Sequence, residues 1–169
     1  MALTLFSVQF SSPSEAAAQM VSKIFTQARS PKQLRGFSTN IANYNSWSMS
    51  PGEFTPADDA QYNPAQNEKI YISLMSAALK AVNVPNQAIV DTGRNGIQGL
   101  REEWGEWCNV NGAAFGTFPT NQTGDVQMDA FVWAKPPGES DGTSDSNSNA
   151  YDSYCGKKSG ELKLARCRY

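Results

Sequence analysis

The order of helical and strand-like segments limits the fold of this chain more than any other sequence feature. Apolar residues recur every three or four positions from Ser12-Pro13 to Ser30-Pro31 and from about Pro64 to Val82, which predicts two helices. Short apolar or alternating runs at 36–42, 88–90 and 130–134 predict three strands. Because strands separated by helical crossovers pair in parallel, the sequence predicts an α/β fold.

The length of the chain restricts this fold further. Three parallel strands cannot close a barrel, and a (β/α) barrel takes about 250 residues, whereas the chain has 169. The sequence therefore predicts a partial β/α (TIM-like) barrel of about three parallel strands with crossover helices. The residues predicted to face its core are Ala17, Met20, Val21, Ile24, Phe25 and Ala28 in the first helix, and Ile70, Leu74, Ala78 and Ala81 in the second.

Composition excludes several classes of function. The chain has no histidine, which removes Ser-His-Asp and Cys-His catalysis and His-ligated metal sites. The three cysteines lack CxxC spacing, so we expect neither a metal nor a cofactor. A net charge of −2 argues against nucleic-acid binding. No run approaches the ~20 apolar residues of a membrane span, and the first residues do not form a clear signal peptide.

Polar residues directly follow each predicted strand. Asn43 follows the first strand, the run Asp91 to Arg94 follows the second, and the run Lys135 to Asp141 follows the third. Since the carboxyl ends of parallel strands meet at one edge of a sheet, and sites in such folds lie there, these residues are expected on the same rim.

The rim residues suggest acid–base and sugar-binding chemistry. Asp141 lies in the turn Pro-Pro-Gly-Glu-Ser-Asp-Gly and can present its carboxylate, although an aspartate before glycine commonly caps its own turn. Arg94 would hold that carboxylate ionised if the two pair, or else it is a solvated loop arginine. Lys135 and Glu139 suit hydrogen bonding to sugar hydroxyls; the plain alternative for Lys135 is an extended lysine at a strand end.

Three tryptophans and one glycosylation triplet complete the candidate features. Trp107 can offer a flat face to a glucose ring, while Trp104 and Trp133 are expected to pack in the core, as buried tryptophans more often do. The nearby acidic residues are interpreted as a solvated helix face: Glu102, Glu103 and Glu106. Asn121-Gln122-Thr123 is a glycosylation sequon, a triplet that also arises by chance.

Four blocks of the chain resemble glycoside hydrolase family 6, the fungal cellobiohydrolase II type. They read TNIANYNSWS, IVDTGRNG, WGEWCNVNGAAFGTFPTNQTGD and DAFVWAKPPGESDGTSDS, in the family's order, within residues 12–156. The resemblance implies a secreted, monomeric enzyme that cleaves β-1,4-glucan, as in cellulose, with inversion on a distorted β/α barrel.

The resemblance also implies roles for individual residues. Asp141 matches the family's candidate catalytic base, and Arg94 the arginine that pairs with it. The substrate-binding matches are Asn43, Trp107, Lys135 and Glu139. Cys108 and Cys155 match a family disulfide.

The chain also departs from the family pattern. Residues 1–11 and 157–169 look unrelated to it, and Cys167, in the second of these segments, is expected to have no partner. The family's general acid belongs to a part that would precede residue 12, and Ala150 stands where a second arginine is expected. We therefore expect a truncated glucan hydrolase lacking the general acid. The alternatives are a non-catalytic glucan-binding fragment and a truncated product without function.

Overall fold

The computed structural model describes residues 15–40, 44–49, 65–102, 106–135, 138–139 and 141–156. These residues form two helices, α1 (Glu15–Gln27) and α2 (Glu68–Ala81), and three strands, β1 (Gly36–Asn40), β2 (Gln87–Asp91) and β3 (Met128–Val132). A short 3₁₀ helix, Ser153–Gly156, follows. Within this part of the chain, the strands make one parallel sheet in the order β1-β2-β3. The predicted α/β class with three parallel strands is confirmed.

Hydrogen bonds define both ends of helix α2, and strand β2 follows the helix in the chain. The Asn67 side chain caps the helix by accepting a hydrogen bond from the Ile70 amide at 2.9 Å. At the other end the Val84 amide donates to the Leu79 carbonyl at 3.0 Å, and Asn83 takes a left-handed conformation with φ 57°. The helix thus stops near Asn83, as the sequence predicts, while the predicted start at Pro64 lies outside the described residues.

The predicted inward face of α2 is wrong. Ile70 and Leu74 are 37% and 38% exposed, and Ala81 is exposed, whereas Ala78 is partly buried. The buried stripe instead contains Ile72, Met75, Ser76 and Leu79. Both stripes are largely apolar at helical spacing. The contacts available decide between them: Ile72 packs on the sheet, and Met75 and Leu79 pack against α1.

Helix α1 follows its prediction in part. Ala17 is buried against α2, and Val21 and Phe25 are partly buried beside it. Met20 and Ile24 are exposed by 48% and 42%, so they do not belong to the core of the described residues.

The core of the sheet lies around β2. Ala88 and Val90 are fully buried and contact Ile72, Met128 and Phe131. The Trp47 ring meets the Phe131 ring edge-on, with centroids 5.3 Å apart. This packing fixes the carboxyl ends of β2 and β3 side by side, since Asp91 pairs with Val132 in the parallel register.

The loop at 115–127, called the hairpin below, folds back along the outer side of β3 through one isolated bridge. Thr120 and Phe131 exchange two backbone hydrogen bonds, of 3.1 Å and 2.9 Å, in an antiparallel bridge. Trp133 packs against Phe118 and Phe115, with centroid distances of 4.8 Å and 5.9 Å, and its Nε1 donates to the Thr117 carbonyl. Trp133 therefore packs on the hairpin, and its predicted place in the core is wrong. No helix of the described residues has the length and apolar character needed to cross a membrane.

Candidate functional site

Cations from the ends of two neighbouring strands converge on one carboxylate. Arg94 lies three residues after β2, and Lys135 lies three residues after β3. Both reach Asp141, which belongs to the loop that follows Lys135. The structure therefore brings four of the predicted residues together at this rim: Arg94, Lys135, Glu139 and Asp141.

Arg94 and Asp141 form a bidentate ion pair that is largely shielded from solvent. Arg94 Nη2 donates to Asp141 Oδ1 at 3.0 Å, and Arg94 Nη1 donates to Asp141 Oδ2. The two side chains are 5% and 12% exposed. Burial by itself would lower the pKa of Arg94, but the hydrogen bond and the charge of Asp141 outweigh it and raise that pKa above its ordinary value. The alternative of a solvated loop arginine is wrong.

Lys135 bridges the two carboxylates of its own loop. Its Nζ lies 3.0 Å from Asp141 Oδ1 and 3.1 Å from Glu139 Oε2. Asp141 therefore has two cationic partners among the described residues, although the resemblance implies that Ala150 stands in the place of a second arginine. Its carboxylate therefore faces these cations.

Asp91 holds the backbone beside both cations. Its Oδ1 accepts a hydrogen bond from the Gly93 amide at 3.1 Å, and its Oδ2 accepts one from the Lys135 amide at 2.8 Å. A Cβ added at Gly93 would lie 2.5 Å from the Lys135 carbonyl oxygen, so glycine is needed for this approach. Burial raises the pKa of Asp91, and the bond from Gly93 opposes that effect. One buried carboxylate thus ties the end of β2 to the end of β3.

Asn109 and the disulfide fix the loop that carries Asp141. Asn109 Oδ1 accepts from the Asp141 amide at 2.7 Å, and Asn109 Nδ2 donates to the Asp141 carbonyl at 2.8 Å. Cys108 and Cys155 form the disulfide that the resemblance implies. A Cβ at Gly142 would lie 2.8 Å from Cys155 Sγ, so the loop runs directly over this bond.

A buried network lies behind the ion pair. Arg94 Nη1 also donates to Tyr44 Oη at 3.1 Å, and Tyr44 is a buried residue with φ 67°. Its neighbour Asn45 donates to Glu68 Oε2 at 2.8 Å and accepts from Arg101 Nη2 at 3.2 Å. A non-glycine residue in the left-handed region is strained, and such strain is commonest at functional sites. This network holds the strained segment against α2.

Burial raises the pKa values of two groups in this network, Glu68 and Tyr44. Loss of hydration on burial raises the pKa of Glu68, and the hydrogen bond from Asn45 opposes the shift. Burial likewise raises the pKa of the Tyr44 phenol, while the nearby Arg94 charge lowers it.

The other predicted positions divide into three groups. Trp107 is partly exposed and precedes disulfide-bonded Cys108. Asn43 and Trp104 lie outside the described residues, as do Glu103 and Cys167. The prediction of a solvated face holds for exposed Glu102 but is wrong for Glu106, which is 3% exposed. The Glu106 Oε2 accepts a hydrogen bond from the Glu102 amide.

The sequence reasoning assigned no role to Asp91, Asn109 or Tyr44. Asp91 lies at a predicted strand end, and Asn109 and Tyr44 lie inside the blocks that resemble the family. The sequence therefore indicated their positions but not their contacts. Their contacts join residues 32 to 50 positions apart, which periodicity cannot detect. Among the described residues, no group of three or more Cys, Asp or Glu side chains is arranged to hold a metal ion.

The chain is similar to known proteins over most of its length. The family model of glycosyl hydrolases family 6 matches residues 7–163. A 1,4-beta-D-glucan cellobiohydrolase of Podospora anserina is 59% identical over 140 residues, covering 83% of this chain and 35% of that protein. Exoglucanase-6A of Humicola insolens is 46% identical over 143 residues, covering 84% of this chain and 29% of that protein.

Solved structures match the fold as well as the sequence. The catalytic core of a cellobiohydrolase from Chaetomium thermophilum superposes with a TM-score of 0.74 at 44% identity, covering 89% of this chain and 41% of that one. Cellobiohydrolase II of Humicola insolens, solved in complex with glucose and cellotetraose, gives a TM-score of 0.74 at 45% identity with the same coverage. This chain therefore spans about a third of the length of the curated relatives it matches.

Proposed function

The chain belongs to glycosyl hydrolases family 6, and from this premise we propose that it forms one wall of a β-1,4-glucan cleft, with Asp141 as the base of an inverting hydrolysis. The observation that carries the proposal is the convergence of Arg94 and Lys135 on Asp141 at the carboxyl ends of two parallel strands. A carboxylate held at this rim by two cations is placed where a general base can act on a water molecule.

The chemistry assigns one step to this chain. In an inverting hydrolysis, a carboxylate takes a proton from a water molecule that attacks the anomeric carbon, while a carboxylic acid ~6.5–9.5 Å away protonates the departing oxygen. Asp141 takes the first role. Asn109 sets its position by holding both the amide and the carbonyl of the same residue. We assign the general acid to none of the residues of this chain.

The remaining residues of the site bind the sugar chain. Glu139 is exposed, with its carboxylate 3.1 Å from Lys135 Nζ, so both side chains can reach hydroxyl groups beside Asp141. Trp107 is partly exposed and supplies a flat face for a glucose ring. Asn43 completes this set in the family pattern.

The proposal includes an extracellular location and a cellulose or cello-oligosaccharide partner. Disulfides persist in oxidising compartments, and Cys108–Cys155 lies beside the site. The Humicola insolens relative was solved with cellotetraose, which supports a β-1,4-glucan as the ligand.

One observation favours a second function, glucan binding without hydrolysis. Three hydrogen bonds or ion pairs from cations already occupy the Asp141 oxygens: those from Arg94 Nη1, Arg94 Nη2 and Lys135 Nζ. Such a carboxylate can organise sugar hydroxyl donors around itself without activating water.

A paired binding and hydrolysis assay tests both functions. The purified chain is incubated with swollen cellulose, and both bound protein and released sugar are measured for wild type, Trp107→Ala and Asp141→Asn. We expect Trp107→Ala to weaken binding by about tenfold, equivalent to ~1.4 kcal/mol. Phe118→Ala is the matched control, because Phe118 is an exposed aromatic residue on the hairpin beside β3.

The outcomes separate the two functions. Sugar release that disappears in Asp141→Asn while binding persists supports the base assignment. Binding without release in wild type supports the second function for this chain by itself, because no general acid is assigned to it. Equal retention of wild type, Trp107→Ala and Phe118→Ala contradicts the glucan site itself.

A further inference from the structure

We propose that Asn121 is a site of N-linked glycosylation and that the first sugar of the glycan lies against the ring of Phe118. Both residues belong to the hairpin that flanks β3. Asn121 directly follows the Thr120–Phe131 bridge, and Phe118 lies three positions before Asn121. This inference concerns a surface that takes no part in the glucan site, and it rests on the proposed extracellular location.

The hairpin presents the sequon in an exposed and ordered turn. Asn121 and Gln122 are exposed, and they directly follow the Thr120–Phe131 bridge. The Gln122 amide donates to Thr120 Oγ1 at 3.0 Å, and Thr123 Oγ1 donates to the Met128 carbonyl at 2.9 Å. The turn therefore holds Asn121 at the surface, where a bulky polar modification is accommodated without loss of core packing.

Phe118 supplies the second, independent observation. Its side chain is 72% exposed, which leaves a large apolar surface in water three positions before the sequon asparagine. Its ring lies with its centroid 4.8 Å from that of Trp133, which limits the positions it can take. The axial C–H face of an N-acetylglucosamine attached at Asn121 would cover this ring and remove apolar surface from water.

The reaction is a group transfer whose donor the secretory pathway supplies. The Asn121 side-chain nitrogen forms a bond to C1 of the first N-acetylglucosamine of a lipid-linked oligosaccharide pyrophosphate. The bond from C1 to the pyrophosphate oxygen breaks, the lipid pyrophosphate leaves with the bonding electrons, and one amide proton passes to a base. The glycosyltransferase of the host carries out this step on the Asn-X-Thr triplet.

Secretion of the full chain from yeast with a cleavable leader tests the site. Protein collected from the medium is analysed by intact mass and by peptide mass before and after enzymatic release of N-glycans, which leaves aspartate at position 121. We expect a glycan on wild type and on Thr123→Ser, which keeps both the triplet and the hydroxyl, and none on Asn121→Gln. Secreted wild-type chain with unmodified Asn121 overturns the proposal.

Two further arms keep the interpretation unambiguous. If the chain does not reach the medium, secretion has failed for a reason separate from the sequon, and import of the same chain into microsomes then measures modification of Asn121 directly. For the Phe118 contact, we expect enzymatic release of the glycan to lower the melting temperature of wild type more than that of Phe118→Ala. An equal decrease in the two proteins overturns the contact.

Discussion

Removing the disulfide should destabilise the chain by an amount that its loop length determines. Cys108 and Cys155 are 47 positions apart, and closing a loop of that length lowers the entropy of the unfolded chain enough to stabilise the folded one by about 4 kcal/mol. We therefore expect Cys108→Ser/Cys155→Ser to lower the free energy of unfolding by about 4 kcal/mol. That is a large fraction of the ~5–15 kcal/mol that natural domains possess.

Urea unfolding followed by tryptophan fluorescence measures this loss. With a slope of about 2 kcal/mol/M, the midpoint should fall by about 2 M. All proteins carry Cys167→Ser, which prevents other pairings, and the parent protein in reducing agent should match the double variant. A midpoint within about 0.3 M of the oxidised parent would refute the reasoning, because the loop would then not restrict the unfolded chain.

Three further predictions concern the buried charges. Asp91→Asn should lower the free energy of unfolding, measured in urea, by about 1–3 kcal/mol. The asparagine NH₂ would replace one of the two accepting oxygens and leave the backbone amide of Gly93 or of Lys135 without its acceptor. Arg94→Lys should cost about 1.5–3 kcal/mol in the same assay, since an ammonium cannot reproduce the bidentate pair with Asp141. Because burial raises the pKa of Glu68 above 4.5, the folded state keeps its proton to higher pH than the unfolded state. Wild-type stability should therefore fall as the pH rises from the ordinary value to the raised one, and thermal unfolding should show a smaller fall in Glu68→Gln.

Each of these predictions has a matched comparison. Asp145→Asn alters an exposed turn aspartate, and a loss equal to that of Asp91→Asn would contradict the tether between β2 and β3. Arg35→Lys alters an exposed arginine paired with Asp129 and should change stability less than Arg94→Lys. Asp91 also has a raised pKa, so part of the pH dependence should persist in Glu68→Gln, but a curve parallel to wild type would exclude Glu68 as a contributor.

The helices, the strands and their parallel order could be predicted because they depend on local pattern. Periodicity identifies α1, α2 and the strands, and the rule that parallel strands end at one edge was sufficient to bring Arg94 and Asp141 together. The pairing of Cys108 with Cys155 came from the resemblance, since spacing alone does not determine it.

The interior arrangement depended on the tertiary structure. Helix α2 carries two apolar stripes, and only the positions of α1 and the sheet bury Ile72 and Leu79 while exposing Ile70 and Leu74. The tether from Asp91 to Lys135 and the clamp of Asn109 on Asp141 join strand ends and loops far apart in the chain. Sequence by itself therefore determined the elements through short-range periodicity, and the edge of the candidate site through the rule that parallel strands end together. The tertiary structure decided which polar groups are buried and which groups they contact, because burial and long-range hydrogen bonds arise only when the helices, strands and loops pack together.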